Sequence, residues 1–498
     1  MKRPVQLLHP LLHTNRHFAC LILFFVLHGY SENQPLVPFV ELALLFAELI
    51  LAGIIVYWIS KKIFRTKRKA GIFTTGMLFI VLFFGALQDL VARWPPVALF
   101  AALRYFVPFT LLVMILFFIW IKKTGKPFDR TIVFINALLL LFILVDTGSI
   151  LYRFVFPESG KNMLVLDEKH QLVVCDTCNK PPVYLIIMDE YFGSHGLKEY
   201  FNYDNSAFEN FLQQQGFHIN KNTASNYQYT VFSTASLLNM NFIENAGPEN
   251  AQNHFGYKTA ISAIRNNRVC GFFEKLGYRI FNYSDFDIKN YPAGYTPEQP
   301  VRVRLITNQT MFYRVAKHLP RALARNGLIP WFAEQEENEV VEKNEEKLKK
   351  ALQNNLWENE RPAFIYLHLI MPHEPYAYDS SGNRIFSSWK KGVDNGKESN
   401  EAYLQYLVYT NKKITSFITR LQLQTRGRAV ILLMSDHGYR HTIYNNAKFG
   451  YLNFNAVYLP SGQYDGWYDG MTNINQFRVL FNTLFHQQLP VLKDSLAK

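Results

Sequence analysis

Apolar positions in the first 155 residues run in five long stretches with few polar breaks, roughly His17 to Tyr30, Pro38 to Ile59, Gly71 to Ala92, Val97 to Ile121 and Thr131 to Leu151. A helix needs about 20 apolar residues to cross a bilayer, so the pattern predicts a membrane domain of five transmembrane helices over 1–155. The first stretch is short, and Lys2, Arg3 and Arg16 before it imitate a signal peptide, but no small-residue cleavage site follows, which keeps it as an anchor. Beyond a polar linker at 156–180 the pattern changes. Short, mostly apolar runs recur at 183–188, 363–370 and 431–434, each too short for a helix and each followed by a polar cluster. They predict buried parallel strands, and a further strand is expected at 453–460. Between them, Ser206 to Gly216 has helical spacing and stops at a glycine, while Asn400 to Leu421 and Ile474 to Phe485 also have helical patterns. This β-α-β succession predicts an α/β domain with a mainly parallel central sheet over 181–498.

Charge orients the membrane half. Lys61, Lys62, Arg65, Lys67, Arg68 and Lys69 follow the second stretch, and Lys122, Lys123, Lys126 and Arg130 follow the fourth. Cationic loops stay in the cytoplasm, so everything after the fifth stretch is expected on the outer side of a bacterial cytoplasmic membrane. The same loops hold most of the excess behind the net charge of +13, which removes the reason to expect a nucleic-acid partner. Glu41 and Glu48, seven apart on one helical face, and Asp146 lie in predicted spans, where acids are costly and suggest contact with lipid headgroups or an interfacial position. Cys175 and Cys178 form a lone CxxC just outside the membrane half. A zinc ribbon needs a second such pair, so a local disulfide is expected.

Candidate chemistry collects at strand ends. Ile431 to Ser435 runs into Asp436, His437 and Gly438, and Val183 to Met188 runs into Asp189 and Glu190. Strand C-termini are where open α/β sheets place their sites, and carboxylate with imidazole suits zinc or manganese, with calcium or magnesium as harder alternatives. A third run leads to His373 between Pro372 and Pro375, a loop histidine able to bind phosphate or act as an acid, whereas His368 within the strand is expected to pack in the core. Thr230, Ser233 and Thr234 open a helical segment, where backbone N–H groups favour phosphate and an alkoxide. The charged helix over 334–356 is expected to be a solvated face, and the stretch before it carries aromatic and basic residues that could touch a membrane surface or line the core.

In this order the parts resemble the alkaline phosphatase superfamily, and within it the sulfatase-like branch that includes lipoteichoic acid synthases and lipid A phosphoethanolamine transferases. The matching pieces are Leu185 to Glu190, Asn226 to Asn239, His368 to Tyr376 and Ser435 to Gly438, and the resemblance covers about Pro181 to Leu489. It implies that Asp189, or the adjacent Glu190, with Asp436 and His437 binds a divalent metal. It also implies that Thr230 is nucleophile and metal ligand, and that His373 holds the transferred group. Ser233 and Leu237 fall where the sulfatase signature has its Ser and Leu. Formylglycine sulfatases need Cys or Ser in a Cys-x-Pro-Ser-Arg frame; Thr230, Phe232 and Thr234 depart from it, which speaks against sulfate-ester hydrolysis. His441 and Lys448 are candidates for the family's later basic and histidine residues. The implied reaction is transfer of a phosphoethanolamine or phosphoglycerol group from a phospholipid donor, through a covalent threonine, to an envelope glycan or lipid acceptor. Hydrolysis of phosphate or sulfate esters on the same fold is the alternative within the family, and a non-catalytic membrane scaffold is the alternative outside it.

Overall fold

The computed structural model describes residues 14–15, 17–34, 36–156, 171–243, 254–294, 302–325, 328–353, 361–385, 396–440 and 448–496. The chain forms two compact units, one of Met1–Ser159 with Gln299–Ala322, the other of Gly160–Glu298 with Leu323–Lys498.

The first unit is helical: α1 (His17–Asn33), α2 (Phe39–Phe64), α3 (Lys67–Leu82), α4 (Phe84–Ala92), α5 (Leu103–Lys123) and α6 (Asp129–Val155). Of these, α2, α5 and α6 are long and apolar enough to cross a membrane, and α3 with α4 reaches the same standard as a pair bent by 56°. The chain is therefore a membrane protein in which at least three helices have the length and composition of spans. Helix α1, at 17 residues, is shorter. The intramembrane acids differ in setting. Asp146 is buried 3.3 Å from His28 Nδ1, and Glu41 pairs with Arg302 at 3.3 Å, whereas Glu48 is exposed on α2. Arg302 belongs to the short segment that returns to this unit late in the sequence. There Gln309 accepts from the Gly85 backbone at 2.7 Å and Arg314 forks onto Asp89 at 3.2 and 3.0 Å. Phe312 and Leu319 of the helix Met311–Arg325 remain exposed.

The second unit is built on six strands, β1 (Val183–Met188), β2 (His218–Ile219), β3 (Arg279–Tyr283), β4 (Ala363–Leu369), β5 (Val430–Ser435) and β6 (Asn455–Tyr458), in the order β2-β6-β5-β1-β4-β3. Strands β3, β4, β1 and β5 are parallel, and β6 runs antiparallel to its neighbours β5 and β2. Every residue of β1, β4 and β5 is buried, as expected of strands covered on both faces. The covering helices include α7 (Ser206–Gln214), α8 (Thr230–Asn239), α9 (Pro330–Ala351), α10 (Gly396–Thr425) and α11 (Gln476–Phe485). Cys175 and Cys178 are joined as a disulfide.

Register positions the site. Met188 lies beside Leu369 of β4 and Ser435 of β5. The residues that follow, Asp189 and Asp436, therefore leave the sheet side by side, and the His373 loop leaves from the next strand.

Candidate active site

The carboxylates of Asp189 and Asp436 and the imidazole of His437 each offer a ligand atom, all within 4.8 Å of one another. His437 Nε2 is 3.6 Å from Asp189 Oδ1 and 3.4 Å from Asp436 Oδ2. The two oxygens of Asp436 divide their work. Oδ1 accepts from the backbone N–H groups of Glu190 (3.1 Å) and His437 (2.9 Å), while Oδ2 is buried without a hydrogen-bond partner, as is Asp189 Oδ1. Orphaned buried carboxylate oxygens are costly unless a cation meets them. His437 has the form a metal ligand requires: Nδ1 lies 2.8 Å from the Gly438 carbonyl, to which it can only donate, leaving Nε2 as the acceptor. Burial, reinforced by the charge of Arg440, lowers the His437 pKa to about 3 and keeps the ring neutral. Burial and the facing charge of Asp436 push the Asp189 carboxyl up to about 8. Two carboxylate oxygens and one imidazole nitrogen thus fit a divalent metal, and the set suits zinc or manganese.

Thr230 is the first residue of α8, and its Oγ1 lies 3.2 Å from His437 Nε2. The hydroxyl therefore faces the triad from a helix N-terminus, beside N–H groups without intrahelical partners. Ser233 is elsewhere. Its buried hydroxyl donates to the Asp436 carbonyl and lies 2.9 Å from that of Ser225, so it fastens the acid's loop. Thr234, on the same helix, is also buried. Asn473 Nδ2 reaches the Asp436 and Ser435 carbonyls at 3.1 and 3.2 Å, and Asn453 Nδ2 reaches the Ser435 carbonyl at 2.7 Å. Gly438 closes this loop where a Cβ would press on the backbone carbonyls of Phe449 and Leu452.

Glu190 and Asp189 point to different partners because Glu190 turns in the left-handed region at φ 61°. Its carboxylate accepts from the Arg440 N–H at 2.9 Å and lies 3.6 Å from Arg440 Nε and 3.7 Å from His373 Nε2. Glu190 thus supports a basic pair, while Asp189 is the acid that meets Asp436 and His437. His373 is held by its backbone N–H on the Asp189 carbonyl at 3.2 Å. Its Nδ1 is 2.8 Å from the Glu374 carbonyl and its Nε2 is 2.9 Å from Arg440 Nη2. Against the Glu374 carbonyl Nδ1 can only donate, which leaves Nε2 as the atom that gains or gives up a proton. Burial opposes its protonation, but the charges of Asp189 and Glu190 outweigh burial and raise its pKa to about 9. Nε2 therefore takes a proton readily once Arg440 turns to another acceptor.

Arg440 and Lys347 near the triad escaped the sequence reading, and His368 has a neighbour there that the sequence did not show. Arg440, two residues past Gly438, is kept charged by Glu190, Asp189 and Asp436 against the cost of burial. His368 does pack in the core, as expected, but its unpartnered Nε2 lies 3.9 Å from Asp189 Oδ2, and burial lowers its pKa to about 4. Lys347, on the helix expected to be a solvated face, is fully buried, 2.7 Å from the His368 carbonyl and 3.2 Å from both oxygens of Asp285. The length of the apolar run before His368 and the position of Arg440 after Asp-His-Gly were available signals; nothing local marks Lys347. Lys448 is exposed, and His441 lies outside the described residues.

The sequence profile of the sulfatase family matches residues 182–487, well over half of the chain, and covers β1 through α11 with the whole triad. The protein belongs to the sulfatase family, within the alkaline phosphatase superfamily, and is an enzyme of that family's phosphoryl- or sulfuryl-group chemistry. Among solved structures it is similar to the integral membrane protein lipooligosaccharide phosphoethanolamine transferase A (EptA) from Neisseria meningitidis, at 11% identity over 95% of each chain with a TM-score of 0.38. It is also similar to the C-terminal periplasmic domain of EcEptC from Escherichia coli, at 12% identity over 62% of this chain and 83% of that one, TM-score 0.37. A third is the phosphonate monoester hydrolase of Agrobacterium radiobacter, at 12% identity over 61% and 74%, TM-score 0.37. These likenesses are distant, and membership of the family rests on the profile match. No curated protein matches the chain.

Proposed function

We propose that the protein is a phosphoryl-group transferase that takes the phosphoethanolamine or phosphoglycerol group of a phospholipid and passes it, through a covalent bond to Thr230, to an envelope lipid or glycan. The observation that carries this reading is the hydroxyl of Thr230, at a helix N-terminus, 3.2 Å from the imidazole of a triad with two orphaned carboxylate oxygens. Thr230 Oγ, its proton released to solvent, attacks phosphorus as the P–O bond to diacylglycerol breaks. His373 delivers a proton to the departing glycerol oxygen, and Arg440 and the N–H groups of α8 hold the phosphoryl oxygens. An acceptor hydroxyl then attacks the same phosphorus and passes its proton to His373, while the bond to Thr230 breaks and the threonine oxygen takes up a proton from solvent. Bound by Asp189, Asp436 and His437, a divalent metal would lower the pKa of the Thr230 hydroxyl and offset charge on the phosphoryl group. Threonine cannot serve as a formylglycine precursor, so transfer of a phosphorus group is favoured over sulfate hydrolysis. The cationic loops support a bacterial cytoplasmic membrane location with the catalytic unit outside.

The test is mass spectrometry of the peptide containing Thr230 after the full chain meets a headgroup-labelled phospholipid. The expected result is a phosphoethanolamine or phosphoglycerol adduct on Thr230, kept in Thr230→Ser and lost with turnover in Thr230→Ala. Headgroup transfer that persists in Thr230→Ala would overturn the covalent mechanism.

A further inference from the structure

A cavity of about 1020 Å³ lies within the first unit, between α1, α3, α5 and α6. This is the upper end of the volume range of ligand pockets. Its walls are apolar, among them Phe24, Phe79, Phe117, Leu138 and Phe142. Along α6 the lining runs from Arg130 to Phe142, thirteen residues that span about 18 Å of helix. That is close to half of a hydrocarbon core of ~30 Å, so the slot is as deep as one leaflet.

One end of the slot is charged. Lys126, Asp129 and Arg130 line it there, within the cationic loop that the distribution of charge assigns to the cytoplasm. Asp129 is committed to Arg68 at 2.7 Å. Lys126 and Arg130 are exposed, and neither side chain meets an acid among the described residues. The rim therefore presents two uncompensated cations above a deep apolar slot. A zwitterionic headgroup would bring its own cation to that rim, whereas an anionic one brings only the phosphate charge that the rim lacks. Basic pockets between transmembrane helices on the cytoplasmic side take anionic headgroups for this reason.

We propose that this cavity binds one anionic phospholipid of the cytoplasmic leaflet, its phosphate between Lys126 and Arg130 and its acyl chains against Phe79, Phe117 and Leu138. The site is independent of the reaction proposed for the outer unit and stands whether that unit transfers or hydrolyses. Gly76 on α3 forms part of the wall, and a Cβ there would press on the Phe117 ring, so the slot keeps its width only with glycine.

The experiment titrates the full chain, in a mild detergent, with phosphatidylglycerol or phosphatidylethanolamine carrying the same acyl chains, and reads bound lipid by native mass spectrometry. Phosphatidylglycerol is expected to bind roughly thirtyfold more tightly, from two cations acting at the membrane surface. The exposed double change Lys126→Ala with Arg130→Ala, which leaves the helix packing alone, should erase the preference. Leu138→Trp, checked for an unchanged melting temperature, should weaken both lipids alike by filling the slot. Equal retention of the two lipids by the unmodified chain would overturn the proposal, as would a preference that survives the double change.

Discussion

Ser233 lies one helical turn beyond Thr230, with its hydroxyl on the Asp436 carbonyl and beside that of Ser225. It touches no reacting atom, yet it fixes the loop that aims Oδ2 of Asp436 at the triad. Groups that orient metal ligands in this way are commonly worth ten- to a hundredfold in affinity. Ser233→Ala should weaken zinc binding by about that factor, read by competition with a chelator, while the melting temperature of the chelated protein changes by only a few degrees. His368 makes a different prediction. The unfolded chain takes a proton near the ordinary histidine pKa of 6.5, whereas the buried ring refuses it until about 4. The unfolded state therefore binds more protons across that window, and stability falls as the pH drops from 6.5 towards 4, by up to about 3 kcal/mol. Unfolding of the chelated protein by urea should show this slope, and His368→Gln should flatten it. An unchanged slope in the variant would place the titrating group elsewhere.

At the scale of elements, the parallel ladder β4-β1-β5 and the loop after β5 fix the geometry. Gly438 sits where backbone carbonyls crowd the position a Cβ would take. Gly438→Ala should cost about 1–3 kcal/mol, as overpacking does, and should lower metal occupancy more than it lowers stability, because the displaced loop carries Asp436 and His437. Calorimetry and metal analysis of the same sample check both. Strands β1, β4 and β5 were legible in the sequence, because six or seven mostly apolar residues ending in an acid or a proline loop leave few alternatives to a buried strand, whereas β3, with Arg279 and Asn282 among its five residues, was not. What was not legible depends on distance along the chain. Glu190 and Asp189 look interchangeable until the left-handed turn sends one to Arg440 and the other to Asp436. Lys347 belongs to a helix whose mixed charges fit a solvated surface, and only its neighbours Asp285 and His368, from remote segments, explain why it is buried. The return of Gln299–Ala322 to the first unit carried no local signal either, since Arg302 and Arg314 find their acids more than 200 residues away.

On the scale of the whole molecule, the order of strands in space differs from their order in the chain. Strand β1 lies at the centre of the sheet, yet its neighbours β4 and β5 begin 180 and 247 residues after it begins. During synthesis the sequence Val183 to Met188, apolar at every position, has no lasting partner until much of the domain has been made. Such unpaired, uncharged strands invite pairing with other chains. Chains ended before Val430 are therefore expected to keep their membrane helices but to aggregate through the second unit, whereas chains ended after Leu489 should remain dispersed, a contrast that size-exclusion chromatography in detergent resolves. The central place of β1 thus makes assembly slow as well as hazardous: contacts so far apart in sequence close late, and Asp189 waits for Asp436 until nearly the last strand is in place. Metal added to the growing or refolding chain finds no site before that moment, so it can reward the finished sheet but cannot guide its formation.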